Sequence, residues 1–182
     1  MANDAAALKQ ALPIMAKNEG VWDGMYRRYG PDGELMAAFK SRVVMRYRDD
    51  APEDQMYHQT NLYEFPDGKR QVIESYGQFD GEKLTFGSDR DISGWAADDK
   101  TDPNGRTCLL YMDVNSPTPQ LEQGTHCYEL VQMSECGQFR LRAAQYMKNG
   151  KLVMRTLIDE QRVTVDWASK ADWGSEPFGG QP

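Results

Sequence analysis

The sequence predicts an all-β fold: one antiparallel up-and-down β-barrel of about eight to ten strands, preceded by a short helix. Three observations predict it. Asp-Gly and Asn-Gly steps recur at Pro31-Asp32-Gly33, Pro66-Asp67-Gly68, Asp80-Gly81, Asn104-Gly105 and Asn149-Gly150, and such pairs tolerate the positive φ that tight hairpins demand. The segments between them alternate in polarity with a period of two. A helix-favouring leader runs up to Gly20-Val21-Trp22, after which the period changes from helical to extended.

In chain order, residues 4–12 have high helix propensity, with Asn3 or Asp4 as N-cap. Leu8, Leu12 and Met15 fall on one helical face, suited to covering the closed end of a barrel, and Asn18-Glu19-Gly20 ends the leader. Strands are expected over 22–29, 34–48, 55–65, 69–79, 83–86, 92–96, 107–115, 126–133, 138–147 and 152–165. The second shows the alternation best: Leu35, Ala37, Phe39, Val43, Met45 and Tyr47 share one face, and Lys40, Arg42, Arg46 and Arg48 the other. Residues 97–106, rich in Asp, Pro and Gly, predict an exposed loop. Residues 166–182 read as a tail packing through Trp167 and Trp173.

The chain has 182 residues, enough for one domain with a sizeable core, so residues 1–182 are read as a single unit with a leader over 1–19. A formal net charge of −7 argues against a nucleic acid or an anionic membrane as partner. No apolar run approaches the length of a spanning helix, and the N-terminus lacks the pattern of a secretory signal. A soluble, cytoplasmic chain is expected if Met1 is its true start. Cys108, Cys127 and Cys136 show no paired spacing and read as reduced.

A leader helix followed by Asn18-Glu19-Gly20-Val21-Trp22-Asp23-Gly24 on a first strand resembles the lipocalin-like, or calycin, barrels, including uncharacterised bacterial domains of unknown function. The resemblance implies that Trp22 plugs the closed end under an arginine from a late strand, Arg155 or Arg162. It also brings in pigment or tetrapyrrole handling, a use made of such barrels in some bacteria.

The residues themselves point to a container. If Trp22 faces inward, Tyr26 and Arg28 share its parity and face inward too, with Arg28 toward the mouth. A half-buried guanidinium there needs a carboxylate, Glu64 or Asp113, or an anionic ligand. His58, in step with Met56, Thr60 and Leu62, is expected to line the cavity, with Tyr111 within reach across it. The expected ligand-binding set is Tyr26, Arg28, His58, Tyr111 and Arg142, with His58 and Tyr111 as the proton-handling pair if there is turnover. No three ligands converge for a metal, the 98–102 loop fits no calcium register, and no cofactor motif is present. Three functions follow: a binder of a small amphipathic, aromatic or anionic molecule, a cofactor-independent lyase or isomerase acting on one, or a pigment handler. Assembly with copies of itself stays open.

Overall fold

The computed structural model describes residues 5–87, 91–118 and 121–179, apart from the side chain of Glu53. Ten antiparallel strands close into a barrel: β1 (Gly20–Tyr29), β2 (Leu35–Tyr47), β3 (Tyr57–Glu64), β4 (Arg70–Phe79), β5 (Leu84–Phe86), β6 (Ile92–Asp98), β7 (Thr107–Val114), β8 (Thr125–Met133), β9 (Phe139–Lys148) and β10 (Lys151–Thr164). Each strand pairs with its sequence neighbour, and β10 pairs with β1 to complete the ring. The five Gly-containing turns fall between strands as expected, and Asn149-Gly150 has φ of 51° and 73°, the double left-handed step of a two-residue hairpin.

The leader folds as two short helices, α1 (Ala5–Ala11) and α2 (Pro13–Ala16), rather than one. Proline is the cause. It restricts the residue before it, and Leu12 lies at φ −124°, ψ 65°, outside the helical region, while Pro13 opens the next helix, where its missing N–H is no loss. Asn3 and Asp4, the expected caps, lie outside the described residues. The N–H groups of Ile14 and Met15 instead donate to the two carboxylate oxygens of Asp98 on β6, both at 2.8 Å, which ties the leader across the barrel end.

That end is dry. Leu8, Leu12 and Met15 pack with Trp22, Val43, Met45, Tyr47, Met56 and Cys108 in the principal core cluster. Gly20 has φ 121°, and a Cβ on it would stand 2.4 Å from the Thr164 carbonyl oxygen, so the close approach of β1 to β10 excludes any side chain there.

A second dry surface lies outside the barrel. The tail folds back over β1, β2 and β3, where Trp173 and Phe178 pack on Val21, Val44 and Leu62. No helix among the described residues is long and apolar enough to cross a membrane.

Candidate functional site

Trp22 is fully buried and lies between two guanidinium groups, with Arg140 Cζ 4.4 Å and Arg162 Cζ 4.3 Å from its ring centre. Its indole N–H donates to the Asn18 carbonyl at 2.9 Å. Of the two arginines the lipocalin resemblance offered, Arg162 covers the ring, while Arg155 faces outward and donates to the Pro31 carbonyl.

Strand registers carry the inward face of Trp22 around the ring. Trp22 opposes Val43, which opposes Asn61; on the other side it opposes Arg162, and Glu160 opposes Arg140. Tyr26, Arg28 and Arg142 therefore face the lumen, as expected. His58 and Tyr111 do not. His58 opposes Arg46 and Tyr76 on the outer wall, and Tyr111 stands three residues from the core residue Cys108 along β7 and thus on the other face. The expected carboxylates for Arg28 are also outside: Glu64 pairs with Arg70, and Asp113 with His126.

Of the inward carboxylates, Glu129 and Glu160 organise the lumen. Arg142 binds Glu129 through Nε and reaches Glu160 at 3.6 Å. Arg140 binds the other oxygen of Glu160 and donates to Asn18 Oδ1 at 3.0 Å. Burial works against the charge on Arg142, and the two glutamates overcome it, holding its pKa well above the ordinary value. The result is a continuous chain, Asn18–Arg140–Glu160–Arg142–Glu129, of the paired kind that buried charge requires. Above it Tyr26 stacks on Phe39 at 5.0 Å, with Tyr63 edge-on to both, and the Arg28 guanidinium lies over Tyr26 and Phe39 at 5.5 and 5.0 Å. Burial raises the pKa of Tyr26, Tyr63 and Tyr146, so these hydroxyls are neutral donors at neutral pH.

The enclosed space between the ion chain and Gln59, Phe86 and Leu110 is about 30 Å³, room for a water molecule. Among the described residues, the inward hydroxyls of Ser41 and Thr156 and Nη2 of Arg140 are buried without a hydrogen-bond partner. Sequence reasoning missed Glu129, Glu160 and Arg140. A signal was present for one of them, since Arg140 shares the parity of the expected Arg142 on β9, whereas Glu129 and Glu160, read along β8 and β10 alone, look like surface carboxylates.

On the outer wall, His58 stacks on Tyr76 at 4.5 Å and stands 3.5 Å from Glu74. Burial first, then Arg46, lowers its pKa. Tyr111 donates to Asp113 at 2.7 Å, and that bond, the largest cause, pushes its pKa up to about 12. Acid–base chemistry by either residue would have to take place on the outside of the barrel. Among the described residues no three His, Cys, Asp or Glu side chains gather as metal ligands.

Three solved structures share this architecture at 12–15% identity, a level that speaks for the fold alone. The S-type phycobiliprotein lyase CPES of Guillardia theta aligns with a TM-score of 0.61 and 12% identity over 84% of this chain and 92% of its own. A protein of unknown function from the DUF3598 family of Nostoc punctiforme aligns with a TM-score of 0.56 and 15% identity over 82% of this chain and 49% of its own, so the chain spans about half of that protein's length. Rv2717c of M. tuberculosis gives 0.55 and 13% identity over 87% and 98%. No curated protein matches the chain. Residues 9–165 match the family described as Domain of unknown function (DUF3598), N-terminal, and the chain therefore belongs to the DUF3598 family.

Proposed function

We propose that the barrel binds a small amphipathic organic molecule with an aromatic or conjugated body and an acidic group, held at the open half of the lumen. The observation that carries this reading is the charge balance of the inward face. Arg28, Arg140, Arg142 and Arg162 face inward against Glu129 and Glu160. With Lys148 and Asp98, which share that face, the described strands turn five basic side chains inward against three acidic ones. A lumen with surplus positive charge, inside a chain of net charge −7, favours an anion, and the Tyr26, Phe39 and Tyr63 rings suit a flat apolar body.

The space of about 30 Å³ beside the ion chain does not admit such a molecule as it stands. Binding therefore displaces side chains at the mouth, where Leu121 packs against Tyr146 and its neighbours. A linear tetrapyrrole belongs to the same chemical class, and the fold shared with a phycobiliprotein lyase supports including it. The test is a titration with anilinonaphthalene sulfonate and with biliverdin, followed by fluorescence and absorbance. Arg28→Met is expected to weaken binding about tenfold, in line with a charged hydrogen bond of roughly 1.5–3 kcal/mol, and His58→Gln to leave it unchanged. Failure of both probes to bind, or an Arg28→Met protein that binds as the parent does, overturns the reading.

A further inference from the structure

The outer wall of β6 to β10 is built the wrong way round for a surface facing water. Two adjacent rows of outward side chains cross it in register. One runs Trp95, Tyr111, Tyr128, Gln145, Arg155 and the other Leu109, Leu130, Ala143, Leu157. Between Trp95 and Arg155 neither row holds a charge. Together they line a groove of about 890 Å³. Tyr128 is 58% exposed, and Leu109, Leu130 and Leu157, with Phe139 and Leu141 one step further along β9, are exposed as well.

Extent separates this face from ordinary scattered apolar residues. From these exposures, the apolar side chains of the wall present on the order of 500 Å² to water, at the upper end of what a monomer usually leaves in one patch and close to the apolar share, a little over half, of the roughly 800 Å² that each partner contributes to a standard interface. All ten strands are paired around the ring, so an added strand has no edge to join. What remains is contact face to face. Relief suits a copy of the same surface. Tyr128 and Leu130 stand proud beside Ala143, a projection next to a recess, which is what a self-complementary contact needs. A net charge of −7 disfavours self-association through most other faces, whereas this one is uncharged between its ends.

We propose that the β6–β10 outer wall is the interface of a two-fold homodimer, with Tyr128 of each protomer seated over Ala143 of the other. The inference is independent of any ligand in the lumen. Sedimentation velocity of the full chain over a range of protein concentration tests it. The parent chain is expected to sediment as a dimer at tens of micromolar. Ala143→Arg, which fills the recess, and Tyr128→Asp, which puts a charge on the projection, are each expected to raise the dimer dissociation constant at least about thirtyfold. Both side chains point outward, so circular dichroism of the variants should match the parent. A parent chain that is monomeric at every concentration, or a dimer that persists in both variants, overturns the proposal.

Discussion

Arg42 and Asp23 form a two-pronged ion pair on the outside of the barrel, Nε to Oδ1 at 2.6 Å and Nη2 to Oδ2 at 2.8 Å, and both side chains are buried. The tail makes this so. Arg42 also donates to the carbonyls of Trp173 and Pro177, its guanidinium lies 4.9 Å from the Phe178 ring centre, and the Gly179 N–H returns to Asp23. Every polar atom of the pair is engaged, the condition under which a buried ion pair is tolerable.

Removing one member is therefore expected to be costly. Asp23→Asn or Arg42→Met should destabilise by about 3–5 kcal/mol, because the remaining charge stays under the tail without its partner. A thermal melt should show a midpoint lower by roughly 10 °C for either variant.

Trp22→Ala removes a fully buried ring and should cost about 3–5 kcal/mol. The two arginines flanking it differ. Arg140→Met leaves Glu160 without its closest partner and is expected to rival the tryptophan deletion, whereas Arg162→Met removes a cation that donates to carbonyls at the barrel end and should cost clearly less. Denaturant unfolding of the three variants side by side gives the order.

His58 predicts a pH dependence of stability. Its folded pKa lies below the ordinary value, through burial and then Arg46, against the opposing pull of Glu74. The unfolded chain therefore takes up the proton first as the solution is acidified. The contribution is complete above the ordinary pKa of about 6.5 and is lost as pH falls through it toward the folded value. Glu74, whose own pKa is lowered, chiefly by Tyr76, acts in the more acidic window. Stability measured by urea unfolding should decline from pH 7 to about pH 5, and His58→Gln should flatten that decline while leaving the steeper loss below it.

The three thiols should divide by reactivity. Burial pushes Cys108 and Cys127 up to about 12, while a hydrogen bond with Ser134 first, then backbone contact, lowers the exposed Cys136. Because the thiolate is the reacting form, Ellman's reagent should consume one thiol in the native protein and the other two only on unfolding.

Much of the barrel was legible because turn chemistry is local. Asp32-Gly33, Asp67-Gly68 and Asn149-Gly150 announce their hairpins in two residues, and the parity of Trp22, Tyr26 and Arg28 follows from one unbroken strand. The facing of β3 and β7 was not, for separate reasons. Leu62 shares the parity of His58 and looked like a core residue. It is buried, but under Trp173 and Phe178 on the outside, and no alternation along β3 can report a tail more than a hundred residues away. Met56, the other apolar residue used to orient His58, precedes β3 and caps a short 3-10 helix, Glu53–Gln55, in helical conformation, so strand parity does not extend to it. On β7 both faces are apolar, Leu109 and Tyr111 outward against Cys108 and Leu110 inward, and the pattern had nothing to choose between. The ion chain of the lumen was hidden for a related reason: charges that pair across three strands look, along each strand alone, like surface residues.

Closure of the ring sets the order in which this chain can finish folding. β1 pairs with β2, which follows it closely, and with β10, which ends at Thr164. Until the last strand leaves the ribosome, β1 stands with one row of N–H and C=O groups unpaired and Trp22 without Arg140 and Arg162 on its faces. The hairpins from β2 onward can form as they emerge, whereas the seam between β1 and β10 must wait for contacts of the longest sequence separation in the barrel, the kind that slows folding most. Synthesis thus passes through a stage in which a nearly complete sheet has an open edge, and in that interval, rather than in the finished molecule, pairing with another chain is the main hazard.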